Sequence, residues 1–133
     1  LVLWQLGTND AVLRVRIEDF EKTVRTTIDK LRQGGIDVVL VGLQYTPKWA
    51  RDKHYFDIRS TLYKVAKEEK VLYVRRYAAM EFIANTHKNL QIMARDKFHL
   101  NDLGYQCMAE YVAQAVIANL FVRRPAKVNA NPK

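Results

Sequence analysis

Three short apolar runs, each followed or preceded by an amphipathic stretch of helical period, constrain this chain more than any other feature. Residues 2–6 (Val-Leu-Trp-Gln-Leu) form the first run, and Gly7 ends it. Ile17, Phe20, Val24, Ile28 and Leu31 then recur at helical spacing, which predicts a helix over about 14–33. Gly34-Gly35 stops it, because glycine takes the left-handed cap conformation without penalty. Ile36 to Val41 is the second run, and 42–54 reads as a loop containing Gly42, Tyr45, Pro47 and Trp49. Ile58, Leu62, Val65 and Ala66 mark a helix over about 55–69, and Val71 to Val74 is the third run. A less regular helix over 77–87 and a loop over 88–98 follow. A last helix over about 102–120 carries Leu103, Met108, Val112, Ala115 and Val116. Short strands buried on both faces and alternating with helices form a parallel sheet joined by crossover helices, so the fold class is α/β with layers of helix on the sheet. Trp4 and Tyr73 lie in strands and read as core.

With 133 residues, 49% of them hydrophobic, the chain is one domain or part of one. A chain of this length can bury roughly two thirds of its unfolded surface. No apolar run reaches the roughly 20 residues of a membrane span, so no transmembrane segment is expected. No signal peptide opens the chain, but its first residues already lie in a strand, and the compartment stays unassigned. The one cysteine, Cys107, excludes an internal disulfide. No paired Cys/His spacing suggests zinc, and His54, His87 and His99 are scattered. The net charge of +8 admits nucleic-acid binding. However, the Lys and Arg residues are spread through the helices and do not alternate with aromatics, so a basic surface without that role is the simpler reading. Part of the excess lies in 121–133, a polar, proline-containing tail expected to be disordered.

In open parallel sheets, ligands bind beyond the carboxyl ends of the strands. Gly7-Thr8-Asn9-Asp10 follows the first strand, and the 42–54 loop follows the second. Asn9 offers an amide that donates hydrogen bonds and never ionises, suited to stabilising a developing oxyanion. The same string would also serve as a turn that caps the next helix. Asp96 and His99, three residues apart, are an acid and a proton carrier on a helix-entry loop. They could equally cap that helix. Gln44, Tyr45 and Trp49 could line an acyl or alcohol pocket or merely pack around Pro47. Ser60 sits inside an amphipathic helix, with no sharp turn to expose it as a nucleophile, and Cys107 reads as a small core residue.

Taken together, the apolar strand entering Gly7-Thr8-Asn9-Asp10, and Asp96-Lys97-Phe98-His99 running through Leu100-Asn101-Asp102-Leu103-Gly104-Tyr105 into an apolar helix, resemble two of the sequence blocks of the SGNH (GDSL-like) hydrolases. The resemblance extends over residues 1–120, expected to be the carboxyl-terminal part of a single domain. It implies a three-layer α/β/α, flavodoxin-like fold whose amino-terminal strands are missing from this chain. It also implies an ester hydrolase that works through an acyl-serine intermediate on small-molecule, lipid or sugar esters and needs no cofactor. By position, Asn9 would be an oxyanion-hole donor, His99 the general base and Asp96 its partner in a catalytic dyad, with Gly7 shaping the turn. The family's Gly-Asp-Ser block has no counterpart here, so the serine would come from a segment outside this chain. The chain alone should then be inactive. Residues 2–6 should present an open apolar edge, covered by an upstream segment or by another copy. A non-catalytic basic binding module on the same fold, or an acyltransferase, are the alternatives.

Overall fold

The computed structural model describes residues 1–87 and 89–121. Three strands, β1 (Val2–Gln5), β2 (Val38–Val41) and β3 (Leu72–Val74), form one parallel sheet in the order β1-β2-β3. The register sets Trp4 beside Leu40 and Leu40 beside Tyr73, with Leu3 beside Val39 and Val39 beside Leu72. Alternate residues therefore point to opposite faces, and each face has its own helical layer.

On one face pack α2 (Ile17–Gln33) and α3 (Lys53–Glu68). Phe20, Val24 and Ile28 of α2 join Ile58, Leu62 and Val65 of α3 over Leu40, with Trp4 and Tyr73 packed against them. On the other face lies α5 (Asp102–Val116), whose Val112, Ala115 and Val116 cover Val39, Val41 and Val74. The result is the expected three-layer α/β/α arrangement. A third cluster joins Met80 of α4 (Arg76–Thr86) to Ile92, Leu100 and Met108, and so fastens the 92–101 loop between α4 and α5.

The layers do not cover β1 evenly. Leu3, on the α5 side of the sheet, remains 52% exposed. Among the described residues no strand pairs with the outer side of β1.

Three details depart from the periodicity. Residues 8–12, read as a turn, form a short helix, α1 (Thr8–Val12). The helix expected from 14 starts at Ile17, because Arg14 takes a left-handed backbone (φ 59°) and forks onto Asp52, the α3 cap, at 2.8 and 2.7 Å. The last α-helix stops at Val116 and continues as a π-helical turn, Ile117–Phe121. The expected tail lies outside the described residues beyond Phe121.

Candidate active site

All three strands end at the same edge, and the residues singled out by their spacing converge there. Gly7 follows β1 at φ 93°, a conformation that L side chains rarely adopt. A Cβ at this position would stand 2.3 Å from Leu43 Cδ1. Glycine is thus required both by the bend and by the contact. The Gly7 N–H donates to Asp10 Oδ2 at 3.1 Å, which folds the turn back on itself. Asn9, exposed on the first turn of α1, faces a cleft of about 420 Å³. Trp4, Gly7, Gln44, Arg76, Phe98 and His99 help to line the same cleft.

His99 approaches from the loop ahead of α5. That loop is closed by an antiparallel bridge between Met93 and Leu100 and by the Ala94 N–H donating to the His99 carbonyl at 2.8 Å. Asn101 caps α5 by accepting from the Gly104 N–H at 2.9 Å, and its amide donates to the Gln91 carbonyl at 2.6 Å. Gly104 must be glycine, since a Cβ would lie 2.2 Å from the Ile92 carbonyl oxygen.

Within this frame Asp96 accepts three hydrogen bonds. Its Oδ2 lies 2.6 Å from His99 Nδ1, and its Oδ1 accepts the Phe98 and His99 backbone N–H groups, each at 2.9 Å. The His99 ring first, and then the two N–H groups, hold the Asp96 carboxyl at about 2, below the ordinary carboxylate range. With an ionised acceptor on Nδ1, the imidazole carries its proton there and keeps Nε2 as a base. The Phe98 ring stands edge-on to the His99 ring, with centroids 5.0 Å apart. The turn passes through Lys97 at φ 54°, a left-handed backbone that a lysine seldom takes.

Gln44 is 6% exposed and forms part of the cleft wall, but its polar atoms are engaged inside the protein. Tyr45 is not among the cleft-lining residues; its ring meets that of Tyr77 edge-on at 5.4 Å. Trp49 borders a neighbouring cavity with Val12, Pro47 and Phe98. Ser60 is exposed on α3 and faces a separate depression with Arg59 and Tyr63. Cys107, expected in the core, is only half-buried on α5. Spacing alone gave no sign of Arg76, which is 3% exposed in the cleft wall. The cue available was two adjacent arginines directly after a buried strand.

Among the described residues, no three His, Cys, Asp or Glu side chains cluster so as to hold a metal ion. Nor is any described helix long and apolar enough to cross a membrane.

The fold has close counterparts among solved structures. The crystal structure of a lipase/acylhydrolase from Enterococcus faecalis superposes with a TM-score of 0.74 at 18% identity, over 93% of this chain and 64% of that one. TesA gives a TM-score of 0.69 at 22% identity, over 87% and 61%. The acetyl xylan esterase AlAXEase gives 0.71 at 21% identity, over 87% and 66%. The chain thus spans roughly two thirds or less of the length of these structures. No curated protein sequence matches it. A sequence model of the GDSL-like Lipase/Acylhydrolase family matches residues 1–107, a stretch that holds both the Gly7–Asp10 turn and the Asp96–His99 loop, and the chain belongs to that family.

Proposed function

We propose that this chain supplies the general base, its orienting acid and one oxyanion donor of a serine ester hydrolase, and that the nucleophilic serine lies on a segment outside these 133 residues. The observation that carries the reading is the 2.6 Å contact between His99 Nδ1 and Asp96 on the wall of the cleft that Asn9 also faces. In this mechanism Asp96 holds the imidazole with Nε2 unprotonated. His99 takes the proton of the serine as its oxygen attacks the ester carbonyl. The Asn9 amide donates to the oxygen that gains negative charge. His99 then returns the proton to the departing alcohol. A water, activated by the same base, cleaves the acyl-serine and releases the acid.

The shape of the cleft supports an incoming segment. From Asn9 and His99 it runs on beside Trp4, Gln5 and Leu6 at the open side of β1, and reaches Phe20, Thr23 and Val24 of α2. A strand laid along β1 would cover this wall and end beside His99.

The test is turnover of a chromogenic short-chain ester by the protein that includes such a segment. Replacing His99 with Ala should abolish turnover while the far-ultraviolet circular dichroism stays unchanged. Full activity in that variant overturns the assignment. The 133 residues alone should be inactive; activity there that survives Ser60→Ala would place the nucleophile on another residue of this chain.

A further inference from the structure

We infer that Gln44 is a positioning residue for His99, and that the buried Arg76 sets the orientation in which it acts. The inference rests on the role proposed above for His99, but its geometry stands independently of turnover.

Gln44 joins four separate segments. Its backbone N–H donates to Thr8 Oγ1 at 3.2 Å, next to Asn9, and its carbonyl accepts the Tyr55 hydroxyl at 2.6 Å. Its side-chain Oε1 accepts Arg76 Nη2 at 2.8 Å, and its Nε2 donates to the Phe98 carbonyl at 2.6 Å. An amide side chain can in principle face either way, but a guanidinium only donates. Arg76 therefore takes the oxygen, and the NH2 group is left to point at Phe98. Arg76 Nε and Nη1 are buried with no hydrogen-bond partner among the described residues, which makes the Gln44 oxygen the acceptor on which this charge depends.

The Phe98 carbonyl belongs to the peptide unit that leads into His99. The N–H of that same unit donates to Asp96 Oδ1 at 2.9 Å. One peptide plane is thus gripped at both polar ends, by Asp96 on one side and Gln44 on the other. That plane fixes the direction in which the His99 side chain leaves the backbone. Because the Gln44 backbone is itself tied to Thr8, the same residue sets the distance between the Asn9 turn and the His99 loop. Among the described residues no other side chain links these two parts of the site by hydrogen bonds.

Gln44→Glu separates positioning from packing. The variant keeps the shape and gives Arg76 a carboxylate, so the fold should melt no lower than the wild type. It also turns an acceptor toward the Phe98 carbonyl in place of a donor, and the clamp is lost. In the full protein, kcat should fall by roughly 10²-fold, the scale associated with misplacing a catalytic group by about 1 Å, while KM changes little. A lining role in substrate binding would move KM instead. Backbone amide exchange at His99 should accelerate by about tenfold or more as the loop opens locally. Gln44→Met, which removes both side-chain bonds without adding charge, should show the same kinetic and exchange changes, with a lower melting temperature because Arg76 loses its partner. If the wild-type protein hydrolyses no ester, the proposed function fails, and the exchange measurement alone decides the clamp. Unchanged His99 exchange in either variant that folds, or wild-type kcat in Gln44→Glu, overturns the inference. If both variants unfold, Gln44 is needed for the fold itself and the separate positioning role is refuted.

Discussion

Replacing Asp96 with Asn tests the proposed chemistry with almost no change of shape. The wild-type carboxylate uses Oδ1 for the Phe98 and His99 N–H groups, each at 2.9 Å, and Oδ2 for His99 Nδ1 at 2.6 Å. The two backbone bonds decide how an asparagine must sit. Its single oxygen has to take the Oδ1 position, or two N–H groups lose their acceptor. The NH2 group then occupies the Oδ2 position and faces Nδ1. A donor now points where an acceptor stood, so the ring is driven to the tautomer with its proton on Nε2. A ring protonated there cannot accept the serine proton. The loop is retained and the base is removed. Where a carboxylate of this role has been replaced by its amide in a serine protease, turnover falls by roughly 10⁴. Here the side chains of His99 and Asp96 are 64% and 49% exposed, so water can take over part of the orienting role. The expected loss is therefore about 10²–10⁴-fold in kcat. Nitrogen-15 shifts of the labelled histidine report the tautomer directly, and ester turnover reports the consequence. A variant that shows the Nε2-protonated ring yet retains turnover within about threefold would refute the reasoning, because the tautomer would then not govern the rate.

Other substitutions and a titration probe the remaining parts. Asn9→Ala should lower kcat by roughly 10²-fold or more with the fold intact, the usual effect of removing one oxyanion donor; an unchanged kcat would assign Asn9 to the turn alone. Gly7→Ala should cost about 2 kcal/mol or more of stability, seen as a lower urea midpoint, because φ is 93° and the new methyl would meet Leu43 Cδ1 at 2.3 Å. The Asp96 carboxyl carbon should titrate with a midpoint of about 2 by nuclear magnetic resonance. Since this value is depressed, the stabilisation that Asp96 gives its loop is present above the unfolded carboxylate range and is lost as pH falls toward 2. His99→Ala should move that midpoint up, and a midpoint that stays put would assign the depression to the backbone N–H groups.

Much of this architecture was written in short-range pattern. Phe20, Val24 and Ile28 repeat at helical spacing because one face of α2 must be buried, and all three lie in the core. The β2 run is apolar on both faces because helices cover both, which is why Val39, Leu40 and Val41 are all buried. β1 is equally apolar but lies at the edge of the sheet, and it remains half-open, with Leu3 52% exposed. The short α1 carries too few residues to show a period. What reveals it is the Asp10 carboxylate reaching back to the Gly7 N–H, a local bond that spacing alone does not distinguish from a turn. Arg14 broke the predicted helix start for a reason far away in sequence, its pairing with Asp52.

The candidate site divides along the same line. Asp96 and His99 are three residues apart, and a turn alone can bring them together, so their pairing was legible. The clamp was not. Gln44 meets Arg76 across 32 positions and Phe98 across 54, and no periodicity links such partners. Their contact depends on three crossings of the sheet being completed in the same direction. That brings the ends of β1, β2 and β3 to one edge, so Thr8, Gln44 and Arg76 follow their strands into a single wall. The parallel sheet therefore does more than place loops near each other. It lets one amide, fixed by the buried cation that opens α4 just after the third strand, hold the turn after the first strand and the histidine loop in a common frame. A serine arriving on a further strand beside β1 would enter that frame already set, and would need only its own turn to meet His99.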